Sequence, residues 1–374
     1  MRGGERVLDA LARSLPHADL YTLFYRQGTT TPAIDAMRVQ TSPLNRLPGV
    51  DKHYRKLLPL YPWAAQRLEI KGYDLVLSIS HAVAKNVRTE PSVPHLCYCL
   101  TPMRYIWDQV DAYLGTGVRR LVAGPLIHAL RRHDVAHSDQ EGVDRFVTIS
   151  STVAERVQRH YGRQSSVIYP PVDCHGIRPS GEDPEDFYLL VGGFVPYKRD
   201  ALAIEAFRGR SDRLVVVGDG PMRAQLQARA PGNVEFVVRI PDRAMTSLLQ
   251  RCKALIYPQE EDFGIAAVEA QAAGRPVIAL GAGGALDTVR PLCVVRPEGG
   301  LEWRDEEPAP TGIYFSEQTP EALNAALDAF ALHRHRFDSE TIRQQAESFG
   351  QARFLAEISS EIEQLTGRPS PILA

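Results

Sequence analysis

The stretch ALIYPQEEDFGIAAVEAQAAGRPVIAL (254–280) decides the fold. ALIYP (254–258) is a short run of apolar, β-prone residues and reads as a buried strand. GIAAVEAQAAG (264–274) is alanine-rich and bounded by glycines, and reads as a helix. PVIAL (276–280) is a second buried strand. Short apolar strands alternating with helices indicate a parallel sheet covered on both faces. One feature disturbs this pattern. Glu269 stands among Ala266, Ala267, Val268 and Ala270, and Glu261 lies eight positions before it. A buried carboxylate is costly unless paired or hydrogen-bonded. Ligands of open α/β sheets bind at the carboxyl ends of the strands. The backbone N–H groups near Phe263, Gly264 and Ile265 would be free donors at the positive end of a helix, suited to phosphate or sugar oxygens. Two readings stay open for Glu269: hydroxyls of a bound sugar or ribose satisfy it, or a neighbouring backbone group or Arg275 does.

The same alternation extends outward. FYLLVG (187–192), RLVVVGDGP (213–221) and NVEFVV (233–238) read as strands, ALAIEAF (201–207) and DRAMTSLLQRC (242–252) as helices. This is the doubly wound pattern. In the first half, ADLYTLF (18–24), YDLVLSIS (73–80), HLCYCL (95–100) and RFVTIS (145–150) are candidate strands. TVAERVQRHYG (152–162) is a helix closed by Gly162. A second α/β domain is therefore expected. SVIYPPVD (166–173) and the acidic PSGEDPED (179–186) form the linker, and the chain is helical from Pro320 to Leu365.

A length of 374 residues suits two domains, each with its own core. A net charge of -2 argues against nucleic acid as the main partner. The five cysteines, Cys97, Cys99, Cys174, Cys252 and Cys293, form no CxxC pair and read as reduced thiols. No apolar run approaches the ~20 residues needed to cross a bilayer. MRGGERVLDAL has no signal-peptide h-region. A cytoplasmic protein is expected.

E-x7-E within EDFGIAAVEAQAAGRPVIA resembles the signature of retaining glycosyltransferases of family 4, with the GT-B fold. VGGFVPYKRDALAIEAF, VVVGDGP, GAGGALDTV and TGIYF are similar to the same family. In the first half, YDLVLSISHAVAKNVR, CYCLTPMRYIWD and VIYPPVD resemble its bacterial branch that moves mannose onto lipopolysaccharide O-antigen or exopolysaccharide intermediates. The resemblance implies two facing Rossmann-like doubly wound domains. Residues 1–174 would form the acceptor side and 175–345 the nucleotide-sugar side, with 346–374 crossing back to the first domain. Glu261 would hold donor-sugar hydroxyls and Glu269 the ribose hydroxyls. The amides of Phe263, Gly264 and Ile265 would face the sugar and phosphates. Lys198 and Arg199 would sit on the diphosphate, with Glu261 and Lys198 the catalytic pair. Gly218, Gly220, Gly3 and Gly4 would approach the donor closely. His81, Arg104, Tyr105 and Asp108 would lie on the acceptor side. The implied donor is GDP-mannose rather than a UDP-sugar, with no cofactor and no metal. The implied acceptor is lipid-linked or an oligosaccharide, and the reaction retains the anomeric configuration.

Three positions depart from that pattern. The family starts with a full strand before its glycine-rich loop, whereas this chain starts at Met1-Arg2-Gly3-Gly4, so the first strand of the N-terminal domain is expected to be missing, through a misplaced start codon or a truncated gene. Leu100 stands where close relatives carry His, and Gly193 where they carry Arg. Loss of one charged contact to phosphate costs ~1.5–3 kcal/mol, with Arg199 or Arg239 as candidate substitutes. These departures support an alternative, a non-catalytic GT-B protein that binds a nucleotide sugar or a partner glycosyltransferase.

HDVAH (133–137) is one methylene short of a zinc-protease motif and lacks a third ligand; a solvated helix face is expected. GDG (218–220) lacks the spacing of a dinucleotide fingerprint. KHYRK (52–56) and RRLVAGPLIHALRRH (119–133) combine basic with apolar residues. They suit either a helix pair broken at Gly124-Pro125 or contact with the cytoplasmic face of an anionic inner membrane.

Overall fold

The computed structural model describes all residues except 1–2, 111–117, 239, 299, 305–306 and 373–374; the side chains of 51, 55 and 118–121 are likewise outside the description. Arg239, Arg55, Arg119 and Arg120, named above, therefore lie outside it. The chain forms two compact units, Met1–Pro171 with Gln351–Ala374, and Val172–Gly350.

The second unit holds an eight-stranded sheet. Its strands are β7 (Phe187–Gly192), β8 (Arg213–Gly218), β9 (Val234–Val237), β10 (Leu255–Tyr257), β11 (Val277–Leu280), β12 (Pro291–Val295), β13 (Leu301–Trp303) and β14 (Gly312–Phe315). They lie in the order β13-β12-β14-β11-β10-β7-β8-β9. Only the β12–β13 pair is antiparallel. Side chains alternate between the faces along each strand. Tyr188, Leu190, Val216, Ile256 and Ile278 pack on one face beneath helices Asp200–Ala206 and Pro320–His333. Phe187, Leu189, Val215, Leu255 and Val277 pack on the other beneath Asp242–Arg251 and Ile265–Ala272. Both faces are covered, which is why these strands read as continuous apolar runs.

The first unit has a four-stranded parallel sheet of β3 (Val76–Ser80), β4 (His95–Cys99), β5 (Arg145–Thr148) and β6 (Ser165–Val167). A separate parallel pair is formed by β1 (Asp19–Thr22) and β2 (Arg38–Thr41). β3 is an edge strand, and β1 pairs only with β2. Residues of β1 and β3 line one apolar cavity of about 1490 Å³. Among the described residues the strands of this unit thus form two separate parallel sheets. Ser166 and Val167, read as the start of the linker, instead belong to strand β6, held by pairing to β5.

Two other expectations change. GGERVLDAL (3–11) lies in a helix, α1 (Gly3–Ser14), whose Val7, Ala10 and Leu11 are buried. The segment around Gly124-Pro125 is one continuous helix, α2 (Val118–Ala136). Ile127, with Ala123 and Leu130 beside it, packs into a cluster with Leu44, Tyr61, Ala64 and Ile106. That packing opposes the break a proline favours. Gly162 ends its helix (Ser151–Tyr161) in the left-handed region at φ 67°, as expected. The last helix, Gln351–Thr366, belongs to the first unit. Its Phe354 meets Tyr98 edge-on at 5.6 Å, and Arg145 donates to Glu361 at 2.8 Å.

The five cysteines are buried free thiols. Burial pushes Cys97 up to about 11 and Cys252 up to about 12, so both stay protonated. His95 is core: its ring bonds Gly142 O at 2.7 Å and Ser78 Oγ at 2.8 Å, and burial lowers its pKa.

Candidate active site

The donor-side candidates of the second unit gather at the carboxyl ends of β7, β8 and β10. Beyond β7 the chain turns through Gly192 and Gly193 into a short helical turn, Pro196–Lys198. Phe194 (φ 41°) and Arg199 (φ 58°) are the non-glycine residues with left-handed backbone among the described residues. Such conformations cost about 1–3 kcal/mol and persist only when surroundings fix them. Burial of the Phe194 ring, 6.0 Å from Phe236, fixes the first. The loop is also clamped by β8: a Cβ on Gly218 would lie 2.0 Å from Gly192 O, and one on Gly220 2.2 Å from Gly193 O. These two glycines are needed for backbone approach within the protein, a role independent of any ligand.

Lys198 Nζ forms an ion pair with Glu261 Oε1, both partly exposed. Tyr257, buried at the end of β10, donates its hydroxyl to Glu261 Oε2 at 3.2 Å. Burial first, then the Glu261 charge, raises the Tyr257 pKa well above 10, so the phenol keeps its proton. The Gly281–Gly284 loop supports the same segment. Gly284 N donates to Glu261 O at 2.7 Å, and a Cβ on Gly283 would come within 2.5 Å of that oxygen. Gly264 (φ 97°) precedes Ile265–Ala272, and a Cβ there would lie 2.7 Å from the Tyr257 hydroxyl. Gln318 links two loops: it accepts from Arg199 Nε at 3.1 Å and donates to Pro258 O at 3.0 Å. Arg199 is thereby directed to Gln318.

Glu269 answers its own puzzle differently from the expectation of burial. Ala267, Val268 and Ala270 are buried, but Glu269 itself is half-buried. Arg275 is engaged elsewhere: it donates to Gln250 O at 2.7 Å and to Glu182 O at 3.1 Å. Around Gly193 there is room, since a Cβ would meet only Lys198 Cε at 3.9 Å. Sequence reasoning missed Tyr257, Gln318 and the buried Asp200, whose roles depend on neighbours distant in the chain.

The remaining donor-side candidates, Gly3 and Gly4, and the acceptor-side candidates lie in the first unit. Gly3 and Gly4 form the first turn of α1, and a Cβ on Gly4 would sit 2.7 Å from Leu100 Cδ1. Both are helical; Gly4 packs against Leu100, whereas Gly3 is exposed. His81 is exposed just beyond β3. Arg104 and Tyr105 lie in a turn whose Ile106 is buried. Asp108 contacts His160 Nε2 at 3.2 Å and Arg156 Nε at 3.8 Å. The His160 bond, with Arg156 and Arg104 adding to it against the cost of burial, holds the Asp108 carboxyl below its usual range.

HDVAH is not a solvated face. Asp134 is fully buried and paired with the buried Lys85 at 2.7 Å. The His133 and His137 rings lie 4.0 Å apart. Among the described residues no group of three or more His, Cys, Asp or Glu could hold a metal ion.

The family profile "Glycosyltransferase Family 4" matches residues 1–175, and "Glycosyl transferases group 1" matches residues 177–346. The chain is 32% identical to D-rhamnosyltransferase WbpZ of Pseudomonas aeruginosa, over 36% of this chain and 40% of that one. It is also 32% identical to the GDP-mannose-dependent alpha-(1-6)-phosphatidylinositol dimannoside mannosyltransferase of Mycobacterium tuberculosis, over 31% of this chain and 33% of that one. The matches therefore span well under half the length of these relatives. Its fold is similar to sucrose-phosphate synthase of Thermosynechococcus elongatus, with TM-score 0.70 and 18% identity over 97% of this chain and 92% of that one.

Proposed function

Because the chain is a family 4-like glycosyltransferase of the GT-B fold, we propose that it transfers a hexose, mannose from GDP-mannose, with retention of configuration. The acceptor is a lipid-linked or oligosaccharide intermediate of lipopolysaccharide or exopolysaccharide synthesis. The observation that carries this reading is the Lys198–Glu261 pair beside the helix start at Gly264. In the donor complex the two separate. Lys198 takes the diphosphate and stabilises the leaving nucleoside diphosphate. Glu261, freed of its cation and steadied by Tyr257, accepts from sugar hydroxyls. Glu269, half-exposed on the same helix, accepts from the ribose. The acceptor hydroxyl attacks the face the diphosphate leaves, and the departing phosphate takes its proton. No metal is required for these roles.

A second reading, a non-catalytic nucleotide-sugar binder, draws on Gly193 and on Leu100, whose side chain covers Gly4 and offers a sugar nothing polar. A thermal-shift titration with GDP, UDP, GDP-mannose and UDP-glucose tests the common premise. A ligand that binds only the native state raises Tm with concentration, by about 2.7 kcal/mol of stabilisation at 100 times its Kd. We expect GDP and GDP-mannose to raise Tm, and Glu269→Ala to abolish the rise. Absence of a shift from all four would remove the donor site. Binding without sugar transfer to any acceptor would favour the second reading.

We also propose contact with an anionic membrane surface, where a lipid-linked acceptor resides. No described helix is long and apolar enough to cross a membrane. However, Leu47, Leu60 and Trp63 are 43–46% exposed within one stretch of the first unit. Arg46, Lys52, Lys56 and Arg67 are exposed along it, and Arg67 lies 5.3 Å over the Trp63 ring. Tryptophan with arginine and lysine suits the headgroup region, each cation adding about 1 kcal/mol near an anionic surface. The protein should sediment with vesicles containing phosphatidylglycerol but not with pure phosphatidylcholine, and Leu60→Ser/Trp63→Ser should weaken sedimentation several-fold. Equal sedimentation with both lipids, or an unchanged double variant, would count against it.

A further inference from the structure

Asp200 is the first residue of helix Asp200–Ala206 and is 2% exposed. Its carboxyl lies against the backbone of Gly192, where an added Cβ would be 2.1 Å from Oδ1. Neither oxygen has a hydrogen bond of good geometry; the amides of Phe194 and of Asp200 itself approach the carboxyl and favour the charged form, but burial outweighs them. A buried carboxylate in that state is costly. The charged groups that act on it are Lys198, two residues before it, and Glu261, the partner of Lys198. Arg199, directly before it, turns its guanidinium to Gln318. One ammonium thus serves two carboxylates, one at the surface and one beneath the loop.

We propose that Asp200 is a proton-linked positioning residue, which takes up a proton when a nucleoside-diphosphate sugar occupies the Lys198–Glu261 site. The inference rests on the donor reading above. A diphosphate brings negative charge to Lys198 and consumes the field that keeps Asp200 ionised. The buried acid then neutralises, which removes a competitor for the Lys198 charge and leaves the loop geometry intact. Burial already pushes the free-state carboxyl up to about 6, with Lys198 opposing and Glu261 reinforcing. Near neutral pH a further rise of one or two units therefore moves a large fraction of a proton. By linkage, the apparent donor Kd increases with pH above about 6, by at most about tenfold per unit.

The test is calorimetric titration with GDP-mannose and with UDP-glucose at pH 7 in two buffers of different ionisation enthalpy. Both ligands are diphosphodiesters with no group titrating near pH 7, so a proton taken up belongs to the protein. We expect uptake of roughly 0.4–0.8 proton per donor bound at pH 7, lost in Asp200→Asn and kept in Glu261→Gln. Donor binding with no uptake in the wild type overturns the proposal and leaves the donor site standing. Uptake kept in Asp200→Asn but lost in Glu261→Gln overturns it as well and moves the proton to Glu261. No binding heat from either donor overturns both.

The unliganded protein supplies a second readout. A carboxyl whose pKa is raised on folding binds more protons in the native state between the two pKa values, so its stability contribution falls as pH rises from about 4 through 6. Asp200→Asn should therefore melt above wild type at pH 7.5, with the difference closing toward pH 4. A variant that melts below wild type at pH 7.5 would show that the ionised form is needed by the fold, and would overturn the proposal.

Discussion

Replacing Lys198 by alanine should lower kcat about 10²–10³-fold while leaving the protein folded. A positioned cation on a developing anion contributes ~2.7–4 kcal/mol to a transition state when it acts in a preorganised site. The geometry meets that condition. Lys198 ends a turn bracketed by two left-handed residues and clamped by Gly218 and Gly220. Its side chain is already directed into the crevice by Glu261. The stability change should be small, because a partly exposed ion pair contributes ~0–1 kcal/mol. The variant therefore separates catalysis from folding: initial rates of sugar transfer fall, and Tm moves little. The complementary change is Gly193→Arg. There is room for a side chain beside Lys198, so this variant should raise kcat/KM by about tenfold or more, the effect of one charge-assisted contact of ~1.5–3 kcal/mol. A Lys198→Ala rate within threefold of wild type would remove Lys198 from the chemistry.

The second unit was far more legible than the first, and the reason is burial. Strands β7, β8, β10 and β11 are covered on both faces, so each shows as a compact apolar run in the sequence. β1 and β2 are four-residue strands with no fully buried residue, and β2 (RVQT) gives no run to read. The site divides similarly. Lys198, Glu261 and Glu269 stand in local patterns that one chain displays. Tyr257, Gln318 and Asp200 act through contacts across the sheet end, and a single sequence carries no record of them. Gly218 and Gly220 carry a contact that the sequence does not display: the Gly192–Gly193 backbone packs directly against both. HDVAH was read from spacing alone as a solvated face, and the partner that contradicts this, Lys85, lies 49 residues earlier.

That partner supplies the largest expected effect on stability: Asp134→Ala should destabilise the protein by about 3–5 kcal/mol. Lys85 and Asp134 are 1% and 0% exposed, and they meet at 2.7 Å. The other carboxylate oxygen accepts from Trp107 Nε1 and from the Tyr161 hydroxyl, each at 2.8 Å. Lys85 also donates to Asn86 Oδ1 and to Asp134 O, each at 3.0 Å. The desolvation cost of two buried charges is offset only while every member is bonded. Removing the carboxylate strands an ammonium, an indole N–H and a phenol O–H together. Breaking such a pair from one side costs about 3–5 kcal/mol, whereas replacing both members by apolar groups is often nearly neutral. Lys85→Met/Asp134→Leu should therefore recover more than half of the loss, limited by the indole and phenol left without an acceptor. Urea unfolding followed by tryptophan fluorescence gives the comparison, with Trp107 inside the network as reporter. A single-variant loss below about 1 kcal/mol, or a double variant no better than Asp134→Ala, would mean that the ion pair does not hold α2 to the turn containing Lys85.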